Sequence, residues 1–215
     1  MNKDFQKMDR YHHGNLRAQL IEAALEMIEE SGTKDLTLRG IAKRAGVSHA
    51  APYRHFKGKE ALLEAVASEG FSLMLSEIRE RISTLGDDPL ARFRVCGSAY
   101  IDFALAHRAH FRVMFAAPFD GVTLPDSLKP ESTPFFQLFL SIIDECLEAG
   151  VLKGESGRDI CVTAWSVVHG FSLLVMDGHL VKTISGRKGI EEIKGGLLRS
   201  FYEGVKGGGG ECVLP

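Results

Sequence analysis

Thr37, Arg39, Ser48, His49, Tyr53, Arg54 and Lys59 fall within one short stretch of the chain, with the small Ala50 among them. Hydroxyls, an imidazole and cations in this arrangement donate hydrogen bonds to phosphate oxygens and base edges. The residues between them set the geometry. Thr37 stands as a hydroxyl N-cap ahead of Leu38, Ile41, Ala42 and Ala45, whose spacings of three and four put apolar side chains on one helix face. Arg39, Lys43 and Arg44 are left outside. Gly46 follows the last apolar position, where a residue without Cβ suits a left-handed cap. Val47 can then plug the interhelical angle, and Ser48 is placed to cap a second helix predicted over residues 49–56. That helix is too short to stand alone in water, so it must pack on its neighbour and leave its outer face free. Pro52 falls in its first turn, where several N–H groups have no intrahelical partner and the ring is tolerated. Ala50 and Ala51 permit close approach, and alanine can meet a thymine methyl. Two helices around a tight turn, followed at once by a third from Lys59, form a device suited to a DNA major groove.

Charge follows the same division. Residues 33–60 carry 7 Lys and Arg against 2 Asp and Glu, and residues 1–60 carry 11 against 8, whereas the remainder carries 15 against 20. The head is basic and the body acidic, which the net charge of −2 conceals. A charge run alone usually marks a solvated face; coincidence with the helix-turn-helix gives it the footprint of a nucleic-acid surface.

A chain of 215 residues with 45% hydrophobic content can bury a sizeable core. No membrane span is expected, because Asp102, Asp144, His169 and Asp177 interrupt the apolar stretches; with no apolar signal segment at the start, a cytoplasmic location is expected. Cys96, Cys146, Cys161 and Cys212 lack metal-site spacing and read as core thiols, with a redox sensor as the alternative. Periodicity is helical nearly throughout, so the fold class is all-α. Residues 1–11 form a polar lead-in. Helices are predicted over residues 15–31, 59–85, 90–106, 108–115, 131–149, 158–180 and 189–205. A proline-containing loop is predicted over residues 116–134 and a flexible tail over 207–215. The expected division is residues 1–58 as a three-helix DNA-binding domain and 59–206 as a helical ligand-binding and dimerisation domain.

Thr37, the run Ile41-Ala42-Lys43-Arg44-Ala45-Gly46-Val47-Ser48, then Tyr53-Arg54-His55-Phe56 and Lys59-Glu60-Ala61-Leu62, resemble the TetR family of dimeric, ligand-responsive transcription factors in order and spacing. Ala50, Ala51 and Pro52 depart from the family's commoner Gly, Thr and Leu. Tyr11-His12-His13-Gly14-Asn15-Leu16-Arg17, the variant recognition segment and Trp165-x-x-x-His169-Gly170 resemble one subgroup. The resemblance implies phosphate contacts from Thr37, Tyr53 and Lys59, and a base-reading surface around Ser48, His49, Ala50 and Arg54; Arg39, on the outer face of the preceding helix, is a further candidate DNA contact. Bland readings stand next to these: Tyr53 as core with a wet hydroxyl, Phe56 as core, His55 as a packing residue.

In the body, Phe103, Phe111, Phe115, Phe119, Phe135, Phe136, Phe139, Trp165 and Phe171 gather with His107, His110 and His169. Packing explains most of them. The resemblance implies an apolar pocket for a small apolar or aromatic effector, with Phe103, Phe111, Phe115, Phe139, Trp165 and His169 as candidate walls. A packing knot or dimer seam is the alternative for Trp165 and His169, which lie four apart on one face. Broad apolar faces at Ile160, Ala164, Val167, Val168, Phe171 and Leu174, and at Ile190, Ile193, Leu197, Leu198 and Phe201, suit a four-helix homodimer seam, as the family has. Such a dimer implies a palindromic operator with half-sites about 34 Å apart or more; the expected role is repression relieved by the effector, with activation as the alternative that some members of the family show.

Catalysis is the rival class. His107 and His110 could hold a metal at i, i+3, and Asp102, Asp144 or Asp177 could pair with a histidine. Nothing converges: no nucleophile elbow, phosphate-cradling glycine loop or His-Glu-x-x-His is present, and no cofactor or metal is expected. A DNA-binding scaffold without a small ligand is the third reading.

Overall fold

The computed structural model describes residues 16–115, 134–154, 156–180 and 189–206. The predicted lead-in 1–11, the motif start at residues 11–15, residues 116–133 of the predicted loop with Phe119, and the tail with Cys212 lie outside them. The fold is all-α. Among the described residues the one departure from helix and turn is an isolated bridge between Leu152 and Lys206. Among the described residues the named helices are α1 (Leu16–Ser31), α2 (Leu38–Arg44), α3 (Lys59–Ser83), α4 (Pro89–Ala106), α5 (Arg108–Phe115), α6 (Pro134–Glu148), α7 (Gly157–Met176) and α8 (Ile190–Val205), with a 3-10 turn at Pro52–Arg54.

The chain divides into two compact units, with a boundary inside α3 between Gly70 and Phe71; α5 from Ala109 onward joins the first unit. In the first, α1 buries Leu20, Ile21, Ala23, Ala24 and Ile28, and α2 buries Leu38, Ile41 and Ala42. Two features fix α2. Thr37 Oγ1 accepts a 3.0 Å bond from Gly40 N–H, and a Cβ at Gly40 would sit 3.2 Å from Met27 Cε, so glycine lets α2 lie close on α1. At the other end Gly46 takes φ 69°, with Gly46 N–H bonded to Lys43 O and Val47 N–H to Ala42 O, the paired bonds of a Schellman cap.

The predicted second helix over residues 49–56 is absent as an α-helix. Pro52 has no N–H for the Ser48 carbonyl, which instead accepts from Ala51 N–H at 2.9 Å; Arg54 N–H bonds to Ala51 O at 3.2 Å. These i to i+3 bonds make a 3-10 turn. Ser48 therefore contributes its carbonyl, not the hydroxyl cap expected.

The second unit packs α4 against α6, α7 and α8. Helix α7 ends at Met176 rather than near residue 180, because Asp177 caps it and Gly178 turns left-handed at φ 73°. Contrary to expectation, α7 is long and apolar enough to cross a membrane, with mean hydropathy 1.5 over its apolar window. Its eight buried residues, from Ile160 to Met176, place it as a core helix instead. Four predicted seam residues, Ile160, Ala164, Val168 and Phe171, are consumed by this internal packing. The exposed large apolar residues of α7 are Val162, Leu173 and Leu174.

In the first unit Gly70 brings α3 against α5: a Cβ there would meet Met114 Sδ at 2.6 Å and His110 Cβ at 3.2 Å. Gly70→Ala is expected to lower unfolding free energy by about 1–2 kcal/mol, since overpacking outweighs the roughly 1 kcal/mol propensity gain of Ala over Gly. Urea denaturation checks this; an unchanged or raised midpoint contradicts the close packing.

Candidate functional site

The head exposes most of its candidate contacts. Thr37, Arg39, Ser48, His49, Ala50, Tyr53 and Arg54 are all exposed, Tyr53 at 56%, while Lys59 is half-buried. Their support lies underneath: Ala51, Pro52 and Phe56 are buried, and the Arg17 guanidinium stands 5.5 Å over the Phe56 ring. An exposed tyrosine on a turn anchored by three buried neighbours is held out by its backbone rather than left over from the core. Tyr53 is thus not the core residue of the bland reading, whereas Phe56 is.

Cations sort into two groups. Arg44 is bound to Glu30 at 2.6 Å and to Glu26 at 3.3 Å, so it fastens α2 to α1; its hydrogen bond holds the Glu30 carboxyl below the usual range. Lys59 reaches the Lys34 carbonyl at 3.3 Å, tying the start of α3 to the approach to α2. Arg39, Lys43, Arg54 and Lys57 are exposed and carry no ion pair among the described residues. Sequence reasoning did not single out Lys57, although its place beside Phe56 in the basic run was the available signal. A basic, convex turn with unpaired cations and donors has the makings of a phosphate-binding surface.

In the body, the structure joins Trp165 and His169 through a residue the sequence reading missed. Trp165 Nε1–H donates to Tyr100 Oη at 3.0 Å, and Tyr100 O–H lies 2.9 Å from His169 Nδ1. Tyr100 is 1% exposed, and burial pushes its phenol well above the usual range. A protonated phenol can donate to an unprotonated Nδ1 or accept from a protonated one, so the contact suits either tautomer of His169. Burial also lowers the His169 pKa. The only signal for Tyr100 was its apolar-face register in α4, which any core tyrosine shares.

Phe139 stacks on Phe93 and Phe135, at 5.9 and 6.3 Å, and Phe135 packs 5.7 Å from Tyr100, so Phe139, Trp165 and His169 share one aromatic neighbourhood. Phe103 packs on His107 at 4.7 Å. Phe111 and Phe115 pack on each other at 4.9 Å in the first unit.

The catalytic rival loses its parts. His107 caps α4 and faces Glu77 at 2.9 Å, while His110 lies in the next helix and faces Glu69 at 3.4 Å, so the i, i+3 chelate is broken by the helix end between them. Asp102 accepts from Lys194 at 2.6 Å and from Arg81 at 2.5 Å; burial would raise its carboxyl, but these bonds outweigh that and hold it low. Cys96, Cys146 and Cys161 are buried thiols, which burial pushes up to about 12, 11 and 11, leaving them without thiolate character. Among the described residues no three His, Cys, Asp or Glu side chains gather as a metal site.

A helix-turn-helix head with a basic exposed turn, joined to a helical body, defines a DNA-binding transcription regulator rather than an enzyme. Residues 20–66 match the model for bacterial regulatory proteins of the tetR family, and residues 93–189 match a tetracyclin repressor-like C-terminal domain. The chain belongs to the TetR family. It is 39% identical over 79 residues to the HTH-type transcriptional regulator BetI of Pseudomonas paraeruginosa, an alignment spanning 36% of this chain and 40% of that relative. A solved protein of unknown function from Rhodococcus sp. RHA1 is 31% identical, with a TM-score of 0.75 over 91% of this chain and 98% of its own. A TetR family transcription regulator from Marinobacter aquaeolei VT8 shares the fold, with 16% identity and a TM-score of 0.71 over 92% of this chain and 99% of its own.

The lowered His169 pKa has a defined sign. Unfolded, the imidazole takes a proton near its ordinary 6.5; folded, it does so only at lower pH. The unfolded chain therefore binds more protons below about 6.5, and this contribution to stability falls with pH in that window and is flat above it. Urea unfolding of the wild type and His169→Asn between pH 7.5 and 5 should show the wild type losing stability relative to the variant; parallel curves would contradict an imidazole that burial keeps neutral.

Proposed function

We propose that this chain is a ligand-responsive repressor that binds a palindromic operator as a homodimer and leaves it when a small apolar or aromatic effector occupies the body. The observation that carries the DNA-reading half is the exposed Tyr53–Arg54 corner on buried Ala51, Pro52 and Phe56. Thr37, Arg39, Tyr53 and Lys59 are assigned to phosphates, and Ser48, His49, Ala50 and Arg54 to the groove. With a 3-10 turn in place of a longer helix, fewer side chains reach base edges, and phosphate contacts carry a larger share of affinity.

The effector site is assigned to the second unit, around Phe103, Phe139, Trp165 and His169 with Tyr100. Phe111 and Phe115, the remaining candidate walls, lie in the first unit. Coupling follows from linkage: an effector that favours the non-binding arrangement by about 1.4 kcal/mol lowers operator affinity tenfold. Helix α3 contributes residues to both units and is the proposed lever. Acting on DNA, the protein is placed in the cytoplasm.

For the dimer, the exposed face of α7 carries Val162, Leu173 and Leu174 alongside Ser166 and Gly170, where an added Cβ meets nothing within 4 Å. On α8, Ile193 and Leu197 remain half-buried, with Gly196, Ser200 and Gly204 beside them. Small residues among apolar ones let two helices approach closely, which favours a second copy of this chain as the covering partner. Gly170→Leu is expected to yield monomers by sedimentation with helicity unchanged; a dimer of undiminished stability would remove α7 from the seam.

Selection of genomic DNA fragments at about 0.15 M salt tests the reading as a whole. Enrichment of one palindrome, lost with Tyr53→Ala, is the expected outcome, and diffuse, salt-sensitive binding by both proteins would favour the scaffold reading.

A further inference from the structure

A groove of about 410 Å³ runs along α8, walled by Arg94, Gly195, Leu198, Arg199, Tyr202 and Glu203. It shares Arg94, Leu198 and Tyr202 with a narrow slot of about 30 Å³, whose other walls include Phe93, Gly97, Phe139 and Val168. The groove lies within the size range of small-molecule sites, and the slot has room for one methyl-sized group. Two glycines make this space. A Cβ at Gly97 would already stand 3.3 Å from Leu198 Cδ2, and at Gly195 there is nothing within 4 Å.

The charged walls are unequal. The Arg94 guanidinium carbon lies 4.0 Å over the Tyr202 ring, and the residue is exposed. Among the described residues neither Arg94 nor Arg199 is paired with a carboxylate, whereas Arg44, Arg81 and Arg92 each are. Glu203, the one acidic wall, is engaged by Lys206 at 3.4 Å. Two unpaired guanidinium groups at the mouth of an apolar cleft complement an anion with an apolar body. At about 100° per residue, Gly195, Leu198 and Tyr202 fall on the flank of α8 opposite Ile193, Ser200 and Gly204, with Arg199 and Glu203 on the side between, so the groove opens beside the proposed dimer seam.

We propose that this groove binds a small amphipathic carboxylate, its head held by Arg94 and Arg199 and its apolar body laid over Leu198 and Tyr202 toward the slot. The site is separate from the Trp165–Tyr100–His169 cluster and stands whether or not that cluster receives an effector. A ligand there bridges α4 and α8, two helices of the second unit.

Calorimetry on the full chain with sodium octanoate and, as neutral counterpart, 1-octanol tests it. Octanoate is expected to bind at least about tenfold more tightly than octanol, a difference of about 1.4 kcal/mol. Arg94→Gln and Arg199→Gln should each weaken octanoate about tenfold by the same measure, and Gly195→Leu, which adds a side chain to open space, should abolish it. Circular dichroism confirms that the variants fold, and operator binding is assayed separately, so its failure leaves this result intact. Equal affinity for acid and alcohol, octanoate binding retained in the double arginine variant or in Gly195→Leu, or no binding at millimolar octanoate would each overturn the proposal.

Discussion

Pro52 cannot donate a backbone hydrogen bond, and what the head presents to DNA depends on how the chain accommodates that loss. The Ser48 carbonyl turns to Ala51, Arg54 bonds to Ala51, and His55 and Phe56 both bond to the Pro52 carbonyl. The product is a 3-10 turn three residues long. A turn that short has no stability of its own. Its orientation comes from below, where Ala51, Pro52 and Phe56 are buried, and from the Schellman cap at Gly46 that aims the chain into it. Residues that would touch DNA are thus carried on a rigid corner, with little conformational entropy left to lose on binding.

Polar groups organise the body in a different way. Asp102 on α4 gathers Arg81 from α3 and Lys194 from α8, and Lys194 is nearly buried. Removing one partner would strand a charge in a partly desolvated place, so the network fixes three helices against one another more than it adds net stability. The Trp165–Tyr100–His169 chain does the same for α4 and α7, with burial disfavouring a charged imidazole. Both networks hold the second unit's helices at defined registers around an aromatic core.

Much of this was legible in the sequence, for reasons of local physics. Thr37 as N-cap and Gly46 as left-handed cap follow from one residue's chemistry and its neighbours, and both stand as read. The fold class followed from periodicity. The length of the recognition element did not, because the usual tolerance of proline in a first turn assumes a helix long enough to continue past it. Four of the six seam residues expected on α7 were misplaced for a related reason: a helix apolar on most of its circumference does not say which side its own chain will cover. Ile160, Ala164, Val168 and Phe171 went to the interior, and Val162, Leu173 and Leu174 stayed outside. Tyr100 was invisible because its partners lie 65 and 69 residues away. Arg44 counted toward the basic head, yet two glutamates of α1 claim it.

The central claim is that the corner from Gly46 to Phe56 is the surface that meets DNA. Hydrogen exchange of the full chain, with and without a selected duplex, addresses it most directly. New protection is expected across residues 37–59 and at the backbone amides around Ser48 and Tyr53, with the body's amides responding far less. Protection concentrated elsewhere, with the corner exchanging as it does in the free protein, would contradict the account.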